Sequence, residues 1–387
     1  MTSADATRRV EPATWRIVEH RGREGLHELR SEWEQVYAEM PRRTPFHAWS
    51  AHVAYANHLA TNPDQLRYLA LRDERRTRLI CPLEPRDDTS LDTPLAVWGI
   101  PWHPHWPIAD VICPDDEARR AFVPLLAAHL RDHNEGRGLA VLGPLPEDSP
   151  LWDGLAHVKL CEKSTHQTMD AFVFDCTRPY DELLGRASSH FRKELRRSAR
   201  RLAASSDVTY VQAGEGEEFD VLFEAFLAVE SSGWKGANGT GSAIRLHEKL
   251  TAFYRDLARG MQASHGCEVS ALYADGRCIA AEFSLRSGDE YATLKSGYDE
   301  SYRTLGPGHL LCARTLERCC ADPSITRYNQ LTDAAWLHVW RPDEDALQQA
   351  HVSISPAKGH MLIALLKLRY GPGRRLVRWA RRTAKDR

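Results

Sequence analysis

In the segment Arg303-Thr304-Leu305-Gly306-Pro307-Gly308 a basic residue precedes two spaced glycines, and an apolar-periodic run from His309 to Cys320 begins directly after them. That combination suits a phosphate. Gly306 and Gly308 admit backbone geometries closed to other residues and let main-chain amides come close to a ligand. The unsatisfied N–H groups of the following helix and its dipole favour an anion, and Arg303 adds a forked cationic contact. A Gly-Pro-Gly before a helix also serves as a plain tight turn with Arg303 solvated, so the elements around the loop must decide its meaning.

Three runs, 268–273, 277–286 and 290–298, read as successive strands, separated first by Ala-Asp-Gly and then by Ser-Gly-Asp, which are hairpin signals. Antiparallel strands that lead through Arg-x-x-Gly-x-Gly into a helix resemble the acyl-CoA pyrophosphate loop of the GNAT acyltransferase superfamily. The same order of elements occurs twice. The first copy reads as strand 15–19, helices 24–37 and 47–59, strands 66–71, 78–83 and 95–99, helix 115–133 and strand 138–142. The second reads as strand 208–212, helices 217–230 and 244–262, the three strands above, helix 309–321 and strand 325–331. Between them lie a strand at 168–175 and a helical run from Pro179, well placed at a helix start, to Ala204. The first copy reaches its third helix through His105-Trp106-Pro107-Ile108-Ala109-Asp110, without the glycine loop. Only the second copy is therefore equipped for a nucleotide phosphate.

A series of strings sharpens the resemblance: Ser189-His190-Phe191-Arg192-Lys193-Glu194-Leu195-Arg196-Arg197, Glu230-Ser231-Ser232-Gly233-Trp234-Lys235-Gly236, Phe253-Tyr254, Ile279-Ala280-Ala281, and Gly297-Tyr298-Asp299-Glu300-Ser301-Tyr302 before Gly306-Pro307-Gly308. In this order, from about Phe172 to Trp340, they resemble the CelD/BcsL-type acetyltransferase family, itself similar to the double-GNAT FemAB aminoacyltransferases. The resemblance implies an α/β (α+β) fold of two tandem GNAT-like domains, each a mixed, mostly antiparallel sheet flanked by helices. Residues 1–160 would form an N-terminal domain without the phosphate loop, 161–345 the domain with the acyl-donor loop, and 346–387 a basic tail. The implied activity is N-acyl transfer from acetyl-CoA or another acyl-CoA to an amine of a small-molecule or cell-envelope acceptor, without a metal. Arg303, Thr304, Leu305, Gly306, Gly308 and His309 would hold the donor, with the acceptor near Trp234 and Lys235. A FemAB-like aminoacyl-tRNA-dependent transferase and a non-catalytic binding protein are the alternatives.

Amide formation from a thioester needs a neutral amine, a polarised carbonyl and a protonated leaving thiolate. Glu282 is a carboxylate in an otherwise apolar strand, where burial would raise its pKa into the range of a base; an outward-facing position is the other reading. Tyr298 ends the strand that enters the glycine loop and suits protonation of the sulfur, or simple packing at a strand end. Asp333 suits an acceptor amine, or a turn after Thr332. Trp234-Lys235-Gly236, followed by Asn238-Gly239-Thr240-Gly241, reads as a mobile lid or a second phosphate contact.

At 387 residues and a formal charge of −2, the chain is large enough for two or three domains and has no globally basic coat. Residues 1–10 lack a signal-peptide core and no apolar run spans a bilayer, so a cytoplasmic protein is expected. Nine scattered cysteines form no Cys-x-x-Cys pair and read as reduced thiols, with Cys267, Cys278 and Cys312 as small buried hydrophobes before nucleophiles. His103 and His105 lack the partners of a metal site, and no Gly-x-x-x-x-Gly-Lys-Ser/Thr, His-Glu-x-x-His or Gly-x-Ser-x-Gly occurs. Cations cluster at Arg186, Arg192, Lys193, Arg196, Arg197, Arg200 and Arg201, and again at Lys367, Arg369, Arg374, Arg375, Arg378, Arg381 and Arg382 beside the apolar run 361–368. Solvated faces explain both; an acyl carrier protein, tRNA or, for the tail, an anionic membrane surface are the partners such segments would meet.

Overall fold

The computed structural model describes residues 14–263 and 266–371. In the first series, β1 (Arg16–Arg21) leads into α1 (Gly22–Glu28), α2 (Arg30–Ala38) and α3 (Trp49–His58), then β2 (Arg67–Arg72), β3 (Thr77–Asp88), β4 (Leu95–Gly99), α4 (Asp116–Asp132) and β5 (Leu139–Leu145). A connector of α5 (Leu151–Ala156), β6 (Lys163–Asp175), α6 (Tyr180–Arg186) and α7 (Ser189–Ser205) follows. The second series is β7 (Val208–Ala213), α8 (Gly216–Glu230), α9 (Glu248–Gln262), β8 (Cys267–Ala274), β9 (Arg277–Ser287), β10 (Glu290–Tyr298), α10 (Pro307–Ala321) and β11 (Arg327–Asn329). Then come β12 (Asp343–Ser353) and α11 (Lys358–Tyr370).

Caps set several boundaries. Asp115 opens α4 by accepting from the N–H groups of Glu117 and Ala118 at 3.0 and 2.8 Å. Ser188 accepts from the Phe191 N–H at 3.1 Å, and this cap divides the single helix expected from Pro179 into α6 and α7. Burial then follows the helical period: Phe253, Tyr254, Leu257, Ala258 and Met261 form the inner stripe of α9.

All strands join one 12-stranded sheet in the order β1-β2-β3-β4-β5-β12-β6-β11-β10-β9-β8-β7. Every pairing is antiparallel except β4 with β5 and β10 with β11. The sequence β1-β2-β3-β4-β5 is thus matched by β7-β8-β9-β10-β11, with β6 and β12 exchanged between the halves: β6 pairs with β11, while β12 returns to β5. Helices cover both faces. Tyr68 and Ala70 join a cluster with α1, α2, α3, α8 and α9, whereas the alternate Leu69 and Leu71 pack under α4. On that second face α6 and α10 cover the other half, while α11 lies on the opposite face of β4 and β5, against Val97, Leu139 and Val141.

β12 corrects the expected tail. A boundary between 345 and 346 falls inside this strand, whose Leu347, Ala350, His351 and Val352 are fully buried. Further along, α11 buries Leu362, Ile363 and Leu366, while Arg374, Arg375, Arg378, Arg381 and Arg382 lie outside the described residues. Because Leu347 sits where the two halves are joined, Leu347→Ala should lower the unfolding free energy by about 3 kcal/mol, read from a urea titration; a loss under about 0.5 kcal/mol would show that β12 is not an integral strand.

Candidate functional site

β10 and β11 run parallel for only three residue pairs, Glu290–Ala292 against Arg327–Asn329. At the paired end, buried Glu290 accepts from Arg42 at 3.2 Å and faces Arg327 Nε at 3.2 Å. Beyond Asn329 the chain leaves β10. Leu331 takes a left-handed φ of 52°, its N–H donates to the Asn329 side-chain oxygen at 2.8 Å, and the Gln330 N–H is committed to the Phe172 carbonyl of β6 at 2.8 Å. β10 meanwhile shifts register against β9 between Thr293 and Lys295, leaving Leu294 in a bulge. Residues 293–298 consequently have no strand on the β11 side, and a cavity of about 700 Å³ opens there.

The cavity passes through the sheet. Glu282 of β9 and its cross-strand neighbour Ser296 face α10, where the Thr315 hydroxyl donates to the Glu282 carboxylate. Gly297 faces the other way, so close to α8 that a Cβ there would stand 2.5 Å from Glu230 Cα.

On the α10 side lies the glycine loop. Gly306 adopts φ +56° and is the N-cap of α10, with Pro307 at the first helical position. Residue 306 therefore needs glycine for its backbone. Gly308 has an ordinary φ; its missing Cβ would lie 3.8 Å from the Tyr298 ring, so its role is to leave space in the cavity. Arg303 is exposed in the 3-10 segment Glu300–Leu305, lines the cavity and has no ion-pair partner among the described residues. Half-buried His309 accepts at Nδ1 from the Trp340 indole at 3.1 Å, which leaves its proton on Nε2, and its partial burial holds its pKa down. Thr304 is exposed and Leu305 packs with Leu310 and Tyr302; neither lines the cavity. α7 packs beside this loop, with Phe191 edge-on to His309 at 5.2 Å. Its Arg192, Lys193, Arg196, Arg200 and Arg201 have no ion-pair partner among the described residues, and Arg197 reaches Glu194 at 3.5 Å.

Glu282 is 3% exposed and lines the cavity, so its side chain faces inward. Burial pushes its pKa up to about 7 against the opposing Thr315 hydrogen bond. Cys312 lies nearby, but burial raises its thiol far above the usual range, and Cys278 is pushed to about 12. Both behave as packing residues.

On the α8 side, Lys235 Nζ bridges Glu230 Oε1 at 3.2 Å and the Ser296 carbonyl at 3.0 Å. Trp234 is held by its N–H donating to Glu300 at 3.0 Å. Thr240 closes the following glycine-rich segment by donating its N–H to the Trp234 carbonyl at 2.7 Å; residues 238–241 do not line the cavity. Asp333 is not brought in either: its carboxylate is exposed, and only its neighbours Thr332 and Ala334 reach the lining. The first half supplies Trp102, His103 and Pro104. Sequence reasoning missed Lys295 and Glu230; a charge inside an apolar strand, the signal used for Glu282, would have found Lys295. Among the described residues, no group of three or more His, Cys, Asp or Glu is placed to hold a metal, and no helix is long and apolar enough to cross a membrane.

Residues 189–336 match the family described as acetyltransferase (GNAT) domain, a span that contains α7, the glycine loop and Glu282. No curated protein matches the chain significantly. Among solved structures, a conserved protein of unknown function from Bacteroides thetaiotaomicron VPI-5482 is similar, at TM-score 0.53 and 11% identity, over 84% of this chain and 96% of that one. FemX is similar at TM-score 0.50 and 10% identity, over 84% and 98%. These likenesses are of fold: a mixed α/β architecture with a mostly antiparallel sheet, as in GNAT acyltransferases.

The raised pKa of Glu282 has a thermodynamic signature. Between about pH 4.5, where an ordinary glutamate titrates, and about pH 7, the folded chain keeps a proton that the unfolded chain has released. Stability from this group should therefore be present below pH 4.5 and lost as pH rises to 7. Urea titrations across that window should show the decline in the native protein and a flatter profile in Glu282→Gln; identical slopes would mean that Glu282 titrates normally.

Proposed function

We propose that the chain is an N-acyltransferase that takes an acyl group from acyl-CoA on the α10 face of the sheet and passes it to an amine entering from the α8 face. The observation that carries this reading is the cavity through the sheet, with an anion-receptive helix start on one face. The resemblance of its motif series to the CelD/BcsL-type acetyltransferases supports the same choice of donor.

In this mechanism the amides at the start of α10, with Arg303, bind the pyrophosphate. The pantetheine arm follows the unpartnered side of β10, where backbone N–H groups polarise the thioester carbonyl. Glu282, held near pKa 7, takes a proton from the amine. The lone pair freed on the deprotonated ammonium nitrogen forms the C–N bond, the C–S bond breaks with its electrons on sulfur, the Tyr298 phenol gives its proton to the thiolate, and the resulting phenolate takes the remaining surplus proton from the amide nitrogen. Tyr298 suits this place because its ring stands against Gly308.

A second reading is favoured by one observation, the uncompensated cations of α7 beside the loop: a donor delivered on aminoacyl-tRNA. It requires affinity for tRNA that falls steeply with salt.

Acetyl-CoA at a hundredfold over its Kd should stabilise the protein by about 2.7 kcal/mol, and Arg303→Ala should reduce that shift. Gly308→Val should fold and raise the acyl-CoA KM about tenfold or more, the equivalent of one lost charge-assisted hydrogen bond. A folded Gly308→Val variant with unchanged donor kinetics would remove the loop from the donor site, and tRNA binding without any thioester effect would favour the second reading.

A further inference from the structure

The α8 side of the cavity contains one positive charge too many. Lys295 follows the Leu294 bulge, and its side chain points to this face, where the two halves meet. Its ammonium reaches only the Pro104 carbonyl, at 3.4 Å, and has no carboxylate partner among the described residues. The nearest carboxylate, Glu230, is already engaged by Lys235 and by the Ile244 N–H at 3.0 Å. Glu300 is exposed and accepts from Trp234. The facing histidines bring no charge of their own: burial and then Lys295 keep His103 and His105 below their usual pKa, His105 down to about 3. Burial and the neighbouring Lys235 pull Lys295 itself down to about 8. A half-buried lysine on a mostly apolar strand with no counter-ion is unfavourably placed, and the arrangement becomes favourable when a ligand supplies the anion.

We propose that Lys295, backed by Lys235 and opposed by the His103-Pro104 segment, is an anion subsite on the acceptor side, so that the acceptor is an amine that also carries a carboxylate or a phosphate. This rests on the acyl-transfer reading for the direction in which the cavity is used, but the subsite itself does not. Lys295 is a specificity-determining residue here; it exchanges no proton with the reacting atoms.

The test is lysine labelling of the full-length protein with an N-hydroxysuccinimide ester, with modification at Lys295 followed by peptide mass spectrometry. Glutarate and inorganic phosphate are added separately, each with and without CoA to fill the donor loop. At ten times its Kd, the matching anion should slow modification of Lys295 about tenfold and leave Lys358 and Lys367 unchanged. The anion that protects distinguishes a carboxylated from a phosphorylated acceptor. A companion assay with acetyl-CoA compares γ-aminobutyrate with butylamine and phosphoethanolamine with ethanolamine. Lys295→Gln should raise KM for the anionic member about tenfold without lowering kcat, and Lys295→Arg should restore it. Modification of Lys295 that neither anion slows, or equal protection of all lysines, would overturn the subsite. CoA binding without protection sinks the subsite alone; protection without CoA binding leaves the subsite standing and removes the acyl-CoA reading.

Discussion

Three residue pairs hold β10 to β11, and the way that contact ends shapes the remainder of the site. The separation is enforced from both strands. On β11, the Asn329 side chain captures the Leu331 N–H while the preceding amide, that of Gln330, donates to the Phe172 carbonyl of β6, so the chain turns away with both backbone donors satisfied. On β10, the Leu294 bulge bends the strand and increases its twist. At the other end of the short ladder, Glu290 with Arg42 and Arg327 anchors the paired stretch; a buried charge group of this kind adds little stability of its own. Backbone donors and acceptors on 293–298 then face a gap in the middle of a sheet, a place where water or a ligand must complete them.

The first half contains the same topological weak point and closes it. β4 and β5 are parallel over two residue pairs, Trp98 with Ala140 and Gly99 with Val141. There Arg86 lies flat on Gly99, where a Cβ would come within 2.1 Å of its Nε, and reaches the Gly143 carbonyl at 3.4 Å. The guanidinium occupies the place that corresponds to the opening in the second half. What remains useful in that half is the segment after β4, which delivers Trp102, His103 and Pro104 to the cavity of the other half. One copy thus carries the glycine loop and the other supplies a wall of the same cavity.

The sequence made the elements and the glycine loop legible because both depend on local chemistry: hairpin turns, helix periodicity and a backbone position that needs φ above zero. Side-chain direction was harder to read. Helices cover both faces of the sheet, so β9 is buried at 279–285 without interruption, and the alternation that would have told whether Glu282 faces a pocket is absent. Lys295 stands out by type, as a charge in an apolar strand, but the register shift beside it hides which face of the sheet it points to. Asp333 lies in the right loop but on its solvent side, which a composition of turn residues does not reveal. The expected tail began at 346, inside β12, where polar Gln348, Gln349 and His351 interrupt the apolar pattern; two of them are paired within the sheet, Gln349 donating to Asp88 at 3.0 Å and His351 meeting the same carboxylate at 3.2 Å.

The exchange of β6 and β12 has a consequence for biosynthesis. When a ribosome has completed residue 160, β5 is present but the strand that belongs beside it is the last of the sheet to be made. The first half must therefore wait with an open, apolar edge while most of the second half emerges, and it closes only when residues 343–353 thread back between β5 and β6. An open edge of this kind invites pairing with other nascent chains. The repeated element order, with its exchanged strands, thus makes a sheet in which β5 of the amino-terminal half lacks its native neighbour until residues 343–353 have been translated.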